Sequence, residues 1–385
     1  MPSGRMTGDR GAADAPRLLH RWPRDPSDPD GGGNSRTAAA AQTGYAVINF
    51  NTARQTVRCV ESLLACAPPP AWVMVLDNAS AAADLDYVVR HLAGGRHTEV
   101  RLYRSDRNLG FAAGSNFLIG CLLAEPGCRY VGLLNNDAVA RPCLLDELLG
   151  ALQRHGGACG LAGGRVHRLF APDEVDTLGI SLYRSLMPAD RRDLKDTYLG
   201  PTGGCCVMTR DFIDDLQLST GYVFDERFFC YCEDTDLVLR ANLLGYRPAY
   251  VDELVALHEG QASSGTGYNA FIAYHGLRNT LWMHVKLVPL SWFVRYGPLL
   301  ALAHLLSVAR HTLAGHPGLM FRVYRDGLRQ LPVFWRERRE LKPVWRAAPA
   351  QLRGRITGRF YREGYWRLVV GQLRGSHRAA PGTRP

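Results

Sequence analysis

The sequence predicts an α/β fold, a Rossmann-like and mostly parallel sheet flanked by helices, with a helical region after it. Three observations predict it. Short runs of strand type recur at Y-A-V-I (45–48), W-V-M-V-L (72–76), V-R-L-Y (100–103) and Y-V-G-L-L (130–134). Segments with apolar residues at helical spacing separate these runs, and strands alternating with helices argue for a parallel sheet. Polar residues close the runs: Asn49, Asp77, Asn108 and Asp137 all fall at or just beyond strand ends. In such sheets the ligand site lies outside the carboxyl ends of the strands.

Taken in order, residues 1–43 are rich in Pro, Gly, Asp and Ala and carry no apolar segment of signal-peptide type; they are expected to be disordered. A first domain is expected over 44–285, a helical, basic region over 286–375 and a disordered tail over 376–385. The run from Tyr45 reads as a buried strand ending in Asn49 and Asn51. Thr52 is placed to cap a helix with Val57, Val60 and Leu64 on one face. A second strand (72–78), a helix (84–92) and a third strand (100–103) follow. The loop S-D-R-N-L-G-F-A-A-G-S-N (105–116) then runs into an apolar helix reaching about Leu123. A fourth strand (130–137) ends in N-N-D, and the next helix is expected to start at Pro142.

Residues 161–200 carry no motif. In G-P-T-G-G-C-C-V-M-T-R (200–210) a Gly-rich turn enters a strand, and its glycines permit either close approach to a ligand or simply a tight turn. Glu233-Asp234-Thr235-Asp236 opens a helix carried by Leu237, Ala241 and Leu244 and stopped by Gly245. Acids in a first turn either cap the helix or, held ionised by its dipole, supply a general base. Asp236 stands four residues before Arg240, the spacing of a helix-bracing ion pair. After a helix over 269–285, the stretch 287–309 is about long enough to span a bilayer but is interrupted by Pro289, Arg295, Pro298 and His304. It reads either as an interfacial helix with Trp292, Phe293 and Tyr296 at headgroup level or as an apolar helix packed on the core.

The net charge of +10 is unevenly placed: from Arg310 onward 17 Lys and Arg face 4 Asp and Glu, against 29 and 32 before it. A near-neutral body with a basic tail points to an anionic partner, or to a solvated charged helix. No nucleic-acid-binding motif accompanies that charge, which argues against nucleic acid and for a membrane surface. Ten cysteines without C-x-x-C or zinc-type spacing read as reduced, buried thiols of a cytoplasmic protein.

Several motifs carry chemistry. Asp137 in N-N-D is suited to hold a divalent cation that grips a diphosphate, or belongs to an ordinary turn. His258, ending an apolar run, is a second ligand or a structural histidine. Asp77 in D-N-A-S reads a base edge or makes an Asx turn. The order N-F-N, D-N-A-S, N-L-G-F-A-x-G-x-N, L-L-N-N-D, T-G-G, F-F-x-Y-x-E-D-x-D and H-E-G is far more specific than any member. Over residues 44–285 it resembles the family-2 inverting glycosyltransferases of GT-A fold, in the rhamnosyltransferase-like branch that includes galactofuranosyltransferases.

That resemblance implies a dTDP- or UDP-sugar donor, Mg or Mn as cofactor, and inversion at the anomeric carbon. It assigns Asn49, Asn51 and Asp77 to the nucleobase, and Asn108, Gly110, Phe111, Gly114 and Asn116 to the nucleoside and sugar. Asn135 and Asn136 fall on the donor side. Asp137 and His258 hold the metal, Asp234 is the catalytic base, and Gly203, Gly204 and Glu233 face the acceptor. It further implies rhamnose as the sugar and a glycan or lipid-linked cell-envelope precursor as acceptor, with the enzyme peripheral on the inner face of the membrane. A soluble small-molecule acceptor, or a non-catalytic nucleotide-sugar-binding subunit, are the alternatives. Asn135 replaces the first Asp of a full D-x-D, which leaves the metal to Asp137, His258 and the diphosphate. Cys205, Cys206, Cys230 and Cys232, beside the acceptor side, are expected to be packing residues.

Overall fold

A computed structural model of the chain describes residues 15–24, 35–95, 97–260 and 269–363. Strands β1 (Arg17–Trp22), β2 (Thr43–Asn49), β3 (Trp72–Asn78), β4 (Glu99–Ser105) and β5 (Tyr130–Leu134) are interleaved with helices α1 (Ser35–Ala40), α2 (Ala53–Leu64), α3 (Ala82–His91) and α4 (Gly110–Leu123). Then come β6 (Ala138–Ala140), α5 (Leu144–His155), β7 (Leu161–Arg168), β8 (Ala171–Thr177), β9 (Ile180–Tyr183), β10 (Pro188–Asp190) and β11 (Cys205–Thr209). α6 (Arg210–Thr220), α7 (Glu233–Leu243) and β12 (Ala249–His258) precede the C-terminal elements α8 (Ala270–Leu287), α9 (Leu290–Leu313), α10 (Pro317–Leu341), α11 (Pro349–Leu352) and β13 (Ile356–Thr357).

The main sheet runs β1-β4-β3-β2-β5-β11-β7-β12-β6, with β8 on β7. β4, β3, β2 and β5 are parallel, and β11 joins β5 antiparallel. The central strands are apolar on both faces, as strands covered by helices on both sides must be. Tyr45 and Val47 of β2, with Val73 and Val75 of β3, pack into the layer of α2, α3 and α5. Their neighbours Ala46, Met74 and Leu76 pack into the layer of α4, α6 and α7.

Four sequence expectations change. Residues 1–43 are not wholly without order: β1 pairs antiparallel with β4, and α1 lies just before β2. The free edge of β4 offers unpaired backbone groups, and Arg21 donates to Glu99 at 2.8 Å. The side chains of β1 are almost all exposed, so no apolar alternation marked it. The loop 105–116 is shorter than expected, because α4 begins at Gly110. Thr52 occupies the N-cap position of α2 but makes no side-chain cap; Asp84 Oδ1 takes the Ala53 N–H instead, at 2.9 Å. Helix α5 begins at Leu144, not at Pro142.

The C-terminal elements are tied to the body. Trp282 of α8 stacks on Phe334 of α10 at 5.0 Å between ring centroids, and β13 pairs parallel with β9. Trp292 is 3% exposed and its indole N–H donates to the Pro349 carbonyl, so it is a core residue and not a headgroup anchor. Phe293 and Tyr296 also lean on the core. The outer side of α9 nevertheless stays apolar, with Leu290, Val294, Leu305 and Leu313 exposed, and α9 is long and apolar enough to cross a membrane. The expected tail 376–385 lies outside the described residues.

Candidate active site

At the ends of β2 and β3 the polar residues are knitted to each other. Asn49 Nδ2 lies 3.0 Å from Asp77 Oδ1, 3.1 Å from Ser80 Oγ and 2.8 Å from Asp84 Oδ2, while its Oδ1 accepts from Thr56. Both Asn49 and Asp77 are fully buried. They brace the two strand ends, because a buried amide and carboxylate at adjacent positions satisfy one another. Asn51, with φ 55°, is exposed and accepts the Ala81 N–H at 2.8 Å. It stands with the exposed Phe50 at the rim.

The turn into α4 is set by Asn78, which the sequence reading passed over. Its side chain donates to Asn108 Oδ1 at 2.9 Å and accepts the Leu109 N–H at 2.8 Å. Asn108 in turn accepts from Gly110 N. Gly110 has φ +73°, and a Cβ there would sit 2.5 Å from the Phe229 carbonyl oxygen. A Cβ on Gly114 would lie 2.9 Å from Ile48, so this glycine serves the crossing of α4 over the sheet. Asn116 bonds both the N–H and the carbonyl of Phe224, bracing the segment before α7. Phe111 is half-buried, edge-on to Phe224 and next to Gly203.

Beyond β5, Asn136 donates to Thr56 and Asn135 N–H donates to the Gly204 carbonyl at 2.8 Å. Pairing of β6 with β12 sets Ala138 opposite His258 and so brings Asp137 beside that histidine. Asp137 Oδ1 lies 3.0 Å from His258 Nε2, and Asp176 Oδ2 lies 2.7 Å from His258 Nδ1. Burial pulls the imidazole down, but bonds to Asp137 and Asp176 outweigh it and push His258 up to about 10. Asp176, on β8, is the residue sequence reasoning missed here; no motif surrounds it. Among the described residues no group of three His, Cys, Asp or Glu is arranged to hold a metal. Asp137 Oδ1 and His258 Nε2, 3.0 Å apart, are one hard oxygen and one imidazole nitrogen, a set that fits Mg or Mn once the imidazole gives up its proton and phosphate oxygens complete the shell.

α7 starts from a strained lead-in. Phe229, Tyr231 and Cys232 all adopt positive φ, at 66°, 66° and 70°, a conformation that costs of order 1–3 kcal/mol each for non-glycine residues. Asn279 of α8 holds the lead-in, its amide lying within 3.0 Å of the carbonyls of Phe228, Cys230 and Tyr231. Asp234 follows half-buried, its two oxygens accepting from Gly203 N at 3.1 Å and Thr235 N at 2.7 Å. Burial raises its pKa and those N–H groups oppose the rise. Glu233 is more deeply buried, pushed well above the carboxylate range by burial and by Asp234, and its Oε2 has no hydrogen-bond partner. Asp236 pairs with Arg240 at 2.7 Å, as the spacing predicts.

Gly203 and Gly204 connect these halves. Gly203 gives its N–H to Asp234, and Gly204 gives its carbonyl to Asn135. Neither tolerates a side chain freely: a Cβ on Gly203 would stand 3.1 Å from Phe111 and 3.3 Å from Asp234, and one on Gly204 2.7 Å from Asn135 Nδ2. Asp190, on β10, is a second acid absent from the motif reading. It is exposed to solvent, and crowding by protein atoms, then the Asp234 and Asp176 carboxylates, push its pKa up to about 6. None of the ten cysteines forms a disulfide; six are buried, Cys205 and Cys206 among them, and four half-buried, including Cys230 and Cys232.

A mixed, mostly parallel sheet with helices on both faces and polar groups at its strand ends is the GT-A arrangement. The family described as "Glycosyltransferase like family 2" matches residues 41–274, so the chain belongs to glycosyltransferase family 2 and the protein is a glycosyltransferase. It is 25% identical over 294 residues to the N-acetylglucosaminyl-diphospho-decaprenol L-rhamnosyltransferase of Mycobacterium tuberculosis, covering 67% of this chain and 91% of that relative. Residues 1–349 of S. aureus TarS, solved in complex with UDP-GlcNAc, superpose with a TM-score of 0.50 at 13% identity, covering 81% of this chain and 92% of that one. That likeness is one of fold.

Proposed function

We propose that the protein is an inverting glycosyltransferase that moves rhamnose from a dTDP- or UDP-linked donor to a hydroxyl of a lipid-linked cell-envelope glycan. Asp234 is the general base in this reading. Its carboxylate is half-buried, anchored by two backbone N–H groups, and separated from Asp137 and His258 by the Gly203-Gly204 turn. That separation is the observation that carries the proposal, because inversion needs a base and a leaving-group site on opposite sides of the anomeric carbon. Asp234 takes the acceptor hydroxyl proton as the hydroxyl oxygen attacks that carbon, and the nucleoside diphosphate departs with the bonding electron pair. A raised Asp234 pKa strengthens the base while its N–H partners keep it ionised. Bound between Asp137 and His258, Mg or Mn would supply Lewis-acid neutralisation of the departing diphosphate. Phe111, against Gly203, walls the sugar side.

The lipid-linked acceptor and a position on the cytoplasmic face of the membrane are supported by two features. The relative named above uses, by its name, a decaprenyl-linked acceptor. α9 exposes an apolar side next to α10, whose exposed face carries Arg322, Arg325, Arg329, Arg336 and Arg339. The test is a panel of dTDP-rhamnose, UDP-galactofuranose, UDP-glucose, UDP-GlcNAc and GDP-mannose, with and without EDTA, on the wild type and on Asp234→Asn. Turnover with dTDP-rhamnose, lost by ~10²–10⁴-fold in Asp234→Asn with donor binding intact, is the expected result. Full turnover by Asp234→Asn would overturn the assignment of the base.

A further inference from the structure

Away from the strand ends, at the C-terminal end of α8, a cavity of about 480 Å³ opens between the start of α9, the end of α10 and the segment before α11. Its walls include Pro289, Leu290, Ser291, Arg338, Lys342 and Trp345. It lies about 14 Å along α8 from Asn279, the residue that holds the lead-in to Asp234.

Arg338 is the unusual member. It is 4% exposed, and among the described residues no carboxylate lies within ion-pair distance of it. Its hydrogen bonds among the described residues run from Nη1 to the carbonyls of Val285 and Val288, at 3.0 and 2.7 Å. This caps α8 with one of three nitrogens. The rings of Trp335 and Trp345, with centroids 5.8 and 5.4 Å from the guanidinium carbon, supply weak compensation. A buried guanidinium is costly unless a counter-ion meets it. Arg346, on the same wall, already has one, gripping Asp215 through both Nη atoms at 2.7 and 2.6 Å.

The other groups in the cavity also favour an anion. Lys342 is exposed at the rim and pairs with no acid among the described residues. The 24-residue helix α9 begins here with no side-chain cap and no acid in its first turn, so its positive end and Ser291 face the same space. Leu290, on the wall, is 52% exposed and starts the apolar outer side of α9 that continues through Val294.

We propose that this cavity is a phosphate-binding site, in which Arg338, Lys342 and the start of α9 hold the phosphoryl group of an anionic lipid whose chains lie along α9. The same chemistry accepts a free phosphate, and the two sources are distinguishable. The inference is independent of the donor and acceptor proposed above, because its readout is binding.

The experiment uses the full chain. Flotation with phosphatidylcholine vesicles, with and without phosphatidylglycerol, reads the lipid; thermal shift with inorganic phosphate and with glycerol phosphate reads the soluble anion. Flotation that depends on phosphatidylglycerol and falls ~100-fold in Arg338→Gln is the expected result, since a charge-assisted bond is involved. Lys342→Glu and Arg154→Glu change the net charge equally, and Arg154 stands exposed on α5, outside the cavity and outside the basic face of α10. Lys342→Glu is expected to bind at least ~10-fold more weakly than Arg154→Glu, and this comparison decides the matter if Arg338→Gln does not fold. A phosphate-dependent rise in Tm, present in the wild type and lost in Lys342→Glu, without lipid selectivity, assigns the site to free phosphate. Equal behaviour of Lys342→Glu and Arg154→Glu, or no response of the wild type to either probe, overturns the proposal.

Discussion

Replacing Lys286 with Met tests how the helix that carries Asp234 is held. Lys286 is fully buried at the end of α8, with its Nζ 2.8 Å from Asp225 Oδ2, 2.8 Å from Asp236 Oδ1 and 3.4 Å from Glu337 Oε1. Arg240 completes Asp236, and Arg227 bridges Asp225 and Glu337. Three carboxylates and three cations thus balance to zero across α7, α8, α10 and the segment before α7. Met keeps most of the side chain's bulk and removes only the charge, leaving one uncompensated carboxylate in the interior. Breaking a buried pair in this way costs about 3–5 kcal/mol, a large share of the ~5–15 kcal/mol that holds a domain folded.

The assay is urea unfolding of wild type and variant, followed by circular dichroism and tryptophan fluorescence and extrapolated to water. The companion Lys286→Met/Asp236→Asn restores neutrality and should recover about half the loss. The pH dependence follows from the directions of shift. Although burial alone raises Asp225, Lys286 and Arg227 hold it below the carboxylate range, so its contribution is present above about pH 4 and fades only in stronger acid. Burial likewise lowers Lys286, but Asp225 and Asp236 raise it further, so its contribution is present below about pH 10 and lost above. The difference between wild type and variant should therefore be flat from about pH 5 to 10. A loss under ~1 kcal/mol, or a double variant no better than the single, would refute the charge-balance argument.

Other expectations are as direct. Asp176→Asn keeps the shape beside His258 but removes the charge that orients its ring; Mn²⁺ affinity, read by electron paramagnetic resonance titration, should fall about 10-fold or more, and unchanged affinity would dismiss Asp176 as a positioning residue. Gly203→Ala introduces a Cβ 3.1 Å from Phe111 and 3.3 Å from Asp234; kcat should drop by ~10–10² with little change in Tm, because the displacement falls on a positioned group. His284 is buried, donates to the Leu186 carbonyl at 2.7 Å, and is held down at about 3 by burial. The unfolded chain then takes up the proton first, so stability is full above about pH 6.5 and declines below it, by about 1.4 kcal/mol at pH 5.5. His284→Gln, which retains an N–H donor, should show a drop between pH 7.5 and 5.5 smaller by that amount; equal drops would mean that His284 takes up no proton on unfolding.

Much of the fold was legible because it is written locally. β2, β3 and β5 carry continuous apolar runs and β4 a shorter one interrupted by Arg101, α7 announces itself by acids followed by helically spaced leucines, and Asp236 and Arg240 meet because a helix brings i and i+4 together. The sequence by itself therefore determined the alternating layers, the strand end where Asp137 stands and the helix start that carries Asp234. Only the tertiary structure decided which polar residues face outward. Asn49 and Asp77 turned to each other, and Gly114 and Asn116 went to packing and bracing, because partners 28 to 108 residues away satisfied them first. Asp176, Asp190 and Asn279 reached the site, and β1 the edge of the sheet, through pairings that leave no periodic trace in the chain. A residue's neighbours along the chain fix its backbone, whereas the groups that desolvate it or accept its hydrogen bonds come from elsewhere in the fold, and those contacts set its chemistry.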